Sequence, residues 1–252
     1  MNPNMLFILG RGRSGTTLLS SILNGNDEIC IAPECLFVMN LAGKYKNVKI
    51  TSRNIDQFCD DLYLEERIHN WAFTKEELRD YLYRKLLGNE ARSFEQIVYS
   101  VYEAHAHYSG KQSAFIMGDK NPHYSLFAIQ LKKMFPNAYW IHIVRDPRAT
   151  VASYKQVKFD YNGTGLLAGR WKVYNEHILQ ANLAETKRYL MIRYEDLVDN
   201  PDEVNRGILN FLGVGNVGLR TAKIKAEQHT KQLEWHRNLS GEINLNFEST
   251  VH

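Results

Sequence analysis

Short apolar runs alternate with amphipathic stretches along this chain. The apolar runs predict five buried strands, at 5–9, 29–31, 114–117, 138–144 and 189–192. Apolar positions at helical spacing predict helices at 16–23, 125–134, 147–156, about 166–186 and 201–212. Strands that alternate with helices favour right-handed crossovers, so the pattern predicts an α/β fold with a central parallel β-sheet flanked by helices.

The part of the chain between the second and third predicted strands is long and mostly helical. Capping boxes begin at Thr74 and Ser93, and the many aromatic residues nearby are interpreted as helical packing. We therefore predict one domain over 1–252 with a helical insertion at about 36–110. The polar segment 221–252 shows no clear element and is expected to be a loop that folds over a site, or to be disordered.

Composition places the chain among globular proteins. Its 252 residues are 44% hydrophobic and 23% charged, so a full core needs neither metals nor disulfides. No apolar run reaches the roughly 18 residues of a membrane span. The apolar run at 5–9 precedes its arginines, which is the wrong order for a signal peptide, so a cytoplasmic location without stable membrane insertion is expected. The net charge of +3 does not indicate nucleic acid, and three cysteines without a CxxC pair indicate no zinc site.

A glycine-rich loop, GRGRSGTT at 10–17, joins the first predicted strand to the first predicted helix. Backbone amides and the helix dipole at such a junction favour an anion. The spacing of Gly10 and Gly15 matches the triphosphate loop G-x-x-x-x-G-K-[ST], but Thr16 stands where that loop has Lys. This replacement disfavours an ordinary ATPase or kinase. Arg13 offers a guanidinium fork for a phosphate or sulfate group instead.

A second basic loop follows the predicted strand at 138–144. Arg145 comes at the end of that strand, Pro147 opens the next helix, and Ser153 lies about two turns along it. Because parallel strands place ligands at their carboxyl ends, both loops are expected to bind anions at the same edge of the sheet. Such a pair suits a nucleotide with phosphates at two separated positions. Tyr194, after the last strand, is a candidate to stack on the base or bond a phosphate.

Three stretches together resemble the sulfotransferases that use 3′-phosphoadenosine 5′-phosphosulfate (PAPS). They are FILGRGRSGTTLL, IHIVRDPRATVASY and YLMIRYEDLVDNPDEVNRGILNFLG, and they occur in the family's order. The resemblance implies a P-loop NTPase-like three-layer fold, which agrees with the strand pattern. Arginine in the first loop resembles the tyrosylprotein and carbohydrate branches and their bacterial relatives.

The resemblance implies in-line transfer of a sulfuryl group from PAPS to a hydroxyl or amine of an acceptor substrate. It gives Glu34, after the second strand, the role of general base, and gives Arg13 and Lys120 the role of stabilising charge on the sulfuryl group. The residues implied to bind the cofactor are Arg13, Ser14, Gly15, Thr16 and Thr17 at the 5′-phosphosulfate, Arg145 and Ser153 at the 3′-phosphate, and Tyr194 along the nucleotide.

His123, three residues beyond Lys120, is the alternative candidate for the general base. A glutamate near its free pKa of about 4.3 is a weak base for an alcohol. Glu34 becomes effective if the proton is released late or if burial raises its pKa. No metal is implied, because no predicted strand ends in an acidic residue of the kind that holds magnesium in triphosphate enzymes.

Two other functions stay open, a P-loop nucleotide kinase and a non-catalytic nucleotide- or anion-binding module. The acceptor would depend on the region 36–110 and on the segment around 155–170, and a glycan, a glycolipid or a small metabolite fits best. Candidate residues along that cleft are Tyr154, Lys155, Lys158, Tyr161 and the segment 162–165. The sequence leaves the oligomeric state open.

Overall fold

The computed structural model describes residues 4–87, 93–157 and 163–215. Within them, parallel strands form one sheet in the order β2-β3-β1-β4-β5. The strands are β1 (Asn4–Leu9), β2 (Ile29–Ala32), β3 (Ile116–Lys120), β4 (Tyr139–Val144) and β5 (Tyr189–Arg193). The α-helices are α1 (Thr16–Asn24), α2 (Phe37–Tyr45), α3 (Ser52–Leu62), α4 (Lys75–Leu86), α5 (Phe94–Tyr108), α6 (Ala128–Met134), α7 (Pro147–Lys155), α8 (Thr164–Gln180), α9 (Tyr194–Asp199) and α10 (Pro201–Leu212). Short 3₁₀ helices cover Ile68–Asn70, Pro122–Phe127 and Leu183–Thr186.

The two faces of the sheet bury two separate apolar clusters. In β1 successive side chains point to opposite faces, so Phe7 packs on the side of α2 to α6, whereas Leu6 and Ile8 pack against α1 and α10. Both faces of β1 are therefore covered, which explains its continuous apolar run. The predicted α/β fold with a parallel sheet between two helical layers is confirmed.

The predicted strands are reproduced to within one residue at each end except at β3, which begins two residues later than predicted and extends to Lys120. Glycine and aspartate are uncommon in strands, so Gly118 and Asp119 did not indicate one. Glycine suits position 118, because the Cβ of any other residue there would overlap the Ile31 side chain of β2. The longer strand carries Asp119 and Lys120 to the sheet edge where the loops lie.

The helix predictions need two corrections. The segment predicted as a helix from Ser125 to Met134 begins as a 3₁₀ turn and becomes α6 only at Ala128. The predicted helix at 166–186 stops at Gln180, because Asn182 adopts a left-handed conformation with φ 49°. The C-terminal segment 221–252 lies outside the described residues.

The region between β2 and β3 is helical, as predicted, and has an aromatic interior. Trp71 lies at its centre, with ring centroids 5.1 Å from Tyr102, 5.1 Å from His105 and 5.8 Å from Phe37. The Thr74 capping box is formed, with Glu77 N 3.2 Å from the Thr74 hydroxyl and Thr74 N 2.7 Å from the Glu77 carboxylate. The aromatic residues therefore serve packing. Across the described ranges, helices long and apolar enough to cross a bilayer are absent.

Candidate active site

The loop after β1 has an unusual backbone conformation. Gly15 has φ 92° and Arg13 has φ 65°, both in the left-handed region that non-glycine residues rarely adopt. Ser125 fixes the start of the loop, because its hydroxyl accepts from Gly10 N at 2.9 Å and donates to Gly10 O at 3.2 Å. No side chain caps α1, so its first amides are available to an anion.

The loop after β4 lies beside the loop after β1. The chain leaves β1 toward β2 and β3 but leaves β4 toward β5, so this is the position where the strand order reverses. Open α/β sheets bind ligands in the crevice at such a position. Asp146 caps α7 by accepting from Arg148 N at 2.7 Å, and Pro147 occupies the first helical position.

Four side chains predicted from three motifs meet where these loops converge. Arg13 Nε donates to Ser153 Oγ at 3.0 Å, and an Arg145 guanidinium nitrogen donates to Arg13 O at 3.1 Å. The Arg145 guanidinium carbon lies 4.2 Å from the centre of the Tyr194 ring. A Cβ at Gly15 would overlap the same ring. The loop, the Arg145 strand end and the Tyr194 helix start therefore form one surface.

The donors on this surface fit an anionic ligand. Arg145 Nε is buried and has no hydrogen-bond acceptor among the described residues. A buried guanidinium nitrogen without a partner is costly, and an anion at this position would relieve that cost. Ser14 and Thr16 are also buried within the loop, next to the first amides of α1. These residues can hold a ligand that carries phosphate or sulfate groups.

A second group of side chains lies at the adjoining ends of β2 and β3. Glu34 forms an ion pair through Oε1 with Lys120. Lys120 is 7% exposed, and its Nζ is 3.3 Å from Thr17 Oγ1, which links the carboxylate to the glycine-rich loop. The structure thus brings Glu34, Lys120 and the loop together although they are distant in sequence.

Arg67 also binds Glu34, through Oε2, and sequence reasoning missed it. Burial disfavours the charged carboxylate, but the charges and hydrogen bonds of Lys120 and Arg67 outweigh burial and lower the pKa of Glu34. Of the two conditions under which Glu34 would be an effective base, a pKa raised by burial is therefore not met. Arg67 lies 33 residues after Glu34 with no motif around it, so no signal in the sequence indicated the pair.

Asp119, at the end of β3, has a different environment from Glu34. It is fully buried and accepts a hydrogen bond from the Tyr102 hydroxyl of α5. Burial raises the pKa of Asp119 to about 8, although its hydrogen bonds with Tyr102 and Tyr124 oppose the shift. Asp119 thus lies one residue before the end of β3, and its carboxylate is bonded to the helical region.

A cleft of about 1280 Å³ opens beside these two groups. Its lining includes Arg13, Thr17, Glu34 and Arg67, together with apolar side chains from α8 such as Leu166 and Val173. His123 lines it too, is exposed, and lies with Nδ1 3.1 Å from the Tyr174 hydroxyl. Of the predicted acceptor-side residues, Tyr154 and Gly165 line the cleft, Lys155 is exposed outside it, and Lys158 and Tyr161 are not among the described residues.

Arg11 is a further loop residue that the sequence did not single out. Its guanidinium carbon lies 4.3 Å from the ring centre of Tyr154 in α7 and 4.7 Å from that of Tyr174 in α8. Arg11 therefore connects the glycine-rich loop to the helices along the cleft. No group of three or more metal-ligating side chains occurs in the ranges that the structure covers.

The sequence matches the model of the sulfotransferase family over residues 3–216. The chain belongs to the sulfotransferase family.

Relatives of stated function share about a quarter of their aligned residues with this chain. Protein-tyrosine sulfotransferase A of Caenorhabditis elegans is 25% identical over 218 residues, covering 83% of this chain and 50% of that protein. The omega-hydroxy-beta-dihydromenaquinone-9 sulfotransferase Stf3 of Mycobacterium bovis is 24% identical over 250 residues, covering 84% and 63%. The chain spans about half the length of the first relative and less than two thirds of the length of the second.

Solved structures support the same fold. The sulfotransferase domain of the Synechococcus PCC 7002 olefin synthase superposes with a TM-score of 0.58 at 25% identity, covering 88% of this chain and 76% of that domain. The sulfotransferase domain from the curacin biosynthetic pathway gives a TM-score of 0.53 at 22% identity, covering 86% and 76%.

Proposed function

We propose that this protein transfers a sulfuryl group from PAPS to a hydroxyl or amine of an acceptor. The observation that carries the proposal is the convergence of the two loops, where Arg145 donates to Arg13 O at 3.1 Å and Arg13 donates to Ser153 at 3.0 Å. Two basic loops at one sheet edge suit a nucleotide with phosphates at both its 5′ and 3′ positions. Membership in the sulfotransferase family supports the reaction class.

The donor would be held by residues of the two loops. The first amides of α1, with Ser14, Gly15, Thr16 and Thr17, would bind the 5′-phosphate, and Arg145 with Ser153 would bind the 3′-phosphate. The Tyr194 ring would line the nucleotide. When bound, PAPS supplies the sulfuryl group and leaves as the desulfated nucleotide PAP.

The acceptor would enter from the cleft side, with the helical region 37–108 forming its wall in a single domain. Glu34 accepts the acceptor proton at a carboxylate oxygen, while Arg13 and Lys120 neutralise charge that develops on the transferred group. Because the pKa of Glu34 is lowered, we propose that the proton moves late, as the new bond forms. The acceptor class that we favour is a glycan, a glycolipid or a small metabolite.

The first test is calorimetric titration of the protein with PAP in the absence of magnesium. We expect tight binding by the unmodified protein and a loss of about 10- to 100-fold in Arg145→Ala, because a charge-assisted hydrogen bond contributes about 1.5–3 kcal/mol. Arg206→Ala, an exposed substitution on α10, is the control and should bind normally. Binding of ATP with magnesium and not of PAP would instead indicate a nucleotide kinase.

The second test is turnover of radiolabelled PAPS with a panel of 4-methylphenol, N-acetylglucosamine and octan-1-ol. Transfer to any of them supports the enzyme. Retained PAP binding without transfer or hydrolysis would instead indicate a non-catalytic nucleotide-binding module.

A further inference from the structure

The carboxylate of Glu34 has both oxygens occupied. Lys120 binds Oε1 and Arg67 binds Oε2. Each carboxylate oxygen can accept more than one hydrogen bond, but a cation on an oxygen takes up part of that capacity and lowers its basicity. Withdrawal of one of the two cations would therefore make Glu34 a more effective base.

The two cations differ in how firmly they are held. The Lys120 side chain is 8% exposed and also lies 3.3 Å from Thr17 Oγ1. The Arg67 side chain is 40% exposed and lines the cleft. An ion pair with a solvent-exposed partner is weak and exchanges readily, whereas a buried pair is costly to break. Arg67 is therefore the partner that can exchange.

The backbone around Arg67 is held independently of its side chain. Glu65, two residues earlier, accepts from Asn40 Nδ2 with both carboxylate oxygens, at 3.1 and 2.9 Å. The Arg67 carbonyl accepts from Asn70 N at 3.2 Å. The guanidinium can thus move away from Glu34 without unfolding the segment that carries it.

We propose that Arg67 is a positioning residue that occupies Glu34 Oε2 until the acceptor hydroxyl replaces it, while Lys120 stays on Oε1. The inference rests on the proposed function and deepens it. Its consequence is protection of the donor. Without an acceptor, Glu34 carries both cations, so a water molecule near the sulfuryl group meets a carboxylate of low basicity.

The test uses PAPS and water alone, with no acceptor. In hydrolysis the water oxygen bonds to sulfur, the bond from sulfur to PAP breaks with its electrons leaving on PAP, and the water proton moves to Glu34. Since a placed general base contributes about 10²–10⁴-fold, we expect Arg67→Gln to release sulfate about tenfold faster than the unmodified protein. Arg67→Lys should stay near the unmodified rate, and adding Glu34→Gln to Arg67→Gln should abolish the gain.

Melting temperature separates this role from a structural one. Lys85→Gln is the matched control, since Lys85 is 47% exposed and pairs with Glu103, which is 14% exposed. We expect each variant to change the melting temperature by no more than about 2–4 °C. An Arg67→Gln protein that melts far below Lys85→Gln, or that hydrolyses PAPS no faster, would overturn the proposal. Failure of the unmodified protein to bind PAP would instead contradict the proposed function itself.

Discussion

The loop edge of the sheet and the helical region over 37–108 meet at one cleft but are organised differently. At the loop edge, Arg13 and Arg145 lie in the loops that follow two neighbouring buried strands, and strand order brings these loops together. In the helical region, Trp71 and Tyr102 belong to an aromatic interior that is continuous with the apolar cluster on one face of the sheet. Topology positions the first region, whereas tertiary packing positions the second.

At the cleft the two regions are joined by a small set of polar contacts, and away from it the helical region packs on the sheet in one apolar cluster that includes Phe7. Arg67 reaches Glu34 from the helical region, and Tyr102 reaches Asp119 of β3. Donor binding should therefore tolerate damage to the helical region, while turnover should not.

The largest expected effect is on turnover. Glu34→Gln should lower kcat by about 10²–10⁴-fold, because the amide cannot accept a proton. PAP affinity should be unchanged, since Glu34 lies outside the two anion-binding loops. Single-turnover kinetics with PAPS and calorimetry with PAP measure the two quantities.

His123→Asn is the companion variant for the alternative base. If Glu34 is the base, this variant retains most of its turnover. A loss in His123→Asn equal to that expected for Glu34→Gln, with Glu34→Gln active, would assign the role to the histidine.

The next effect is on stability of the helical region. Trp71→Ala should lower the free energy of unfolding by about 3–5 kcal/mol, because it removes a 4% exposed ring from the aromatic interior. Urea unfolding measures this loss. At low urea the variant should still bind PAP, and Phe115→Ala, at a partly exposed position, should cost far less. Loss of PAP binding in the folded Trp71→Ala protein would show that the regions are not separable.

The sequence predicted the loop edge of the sheet better than the contacts of the helical region. The strand ends with Arg13 and Arg145 were predictable because each motif is contiguous and parallel strands share one ligand-binding edge. The placement of Glu34 beside Lys120 depended on the family resemblance. The contact of Arg67 with Glu34 was not predictable, because it depends on how several helices pack.

The stability of the protein is expected to depend on pH through Asp119, which lies where the two regions meet. Its pKa is raised to about 8, chiefly by burial, so the folded state holds this proton when the unfolded state has released it. The resulting stability is present below about pH 4 and is lost as the pH rises through 8. Between pH 6 and 8, the free energy of unfolding of the unmodified protein should fall more steeply than that of Asp119→Asn, by on the order of 1 kcal/mol per pH unit.

Urea unfolding at several pH values gives this difference. Asp61→Asn is the control, because the pKa of Asp61 is shifted in the opposite direction to that of Asp119. Burial opposes ionisation of Asp61, but hydrogen bonds from Lys44 and Tyr45 outweigh it and lower its pKa. The stability of Asp61→Asn should therefore run parallel to that of the unmodified protein above about pH 4, and the two curves should converge as the pH falls further and the Asp61 contribution is lost. Parallel curves for Asp119→Asn and the unmodified protein between pH 6 and 8 would contradict the assignment.

The smallest effects come from one substitution made in each region. Gly15→Ala should destabilise the protein by about 1–2 kcal/mol and weaken PAP binding, because φ is 92° and the new Cβ overlaps the Tyr194 ring. Gly43→Ala, in α2 with nothing within 4 Å of the new Cβ, should stabilise by about 0.5–1 kcal/mol and leave PAP binding unchanged. Thermal unfolding and calorimetry of both variants check the signs. Equal shifts of one sign would mean that the loop conformation at Gly15 is not the constraint that shapes the donor site.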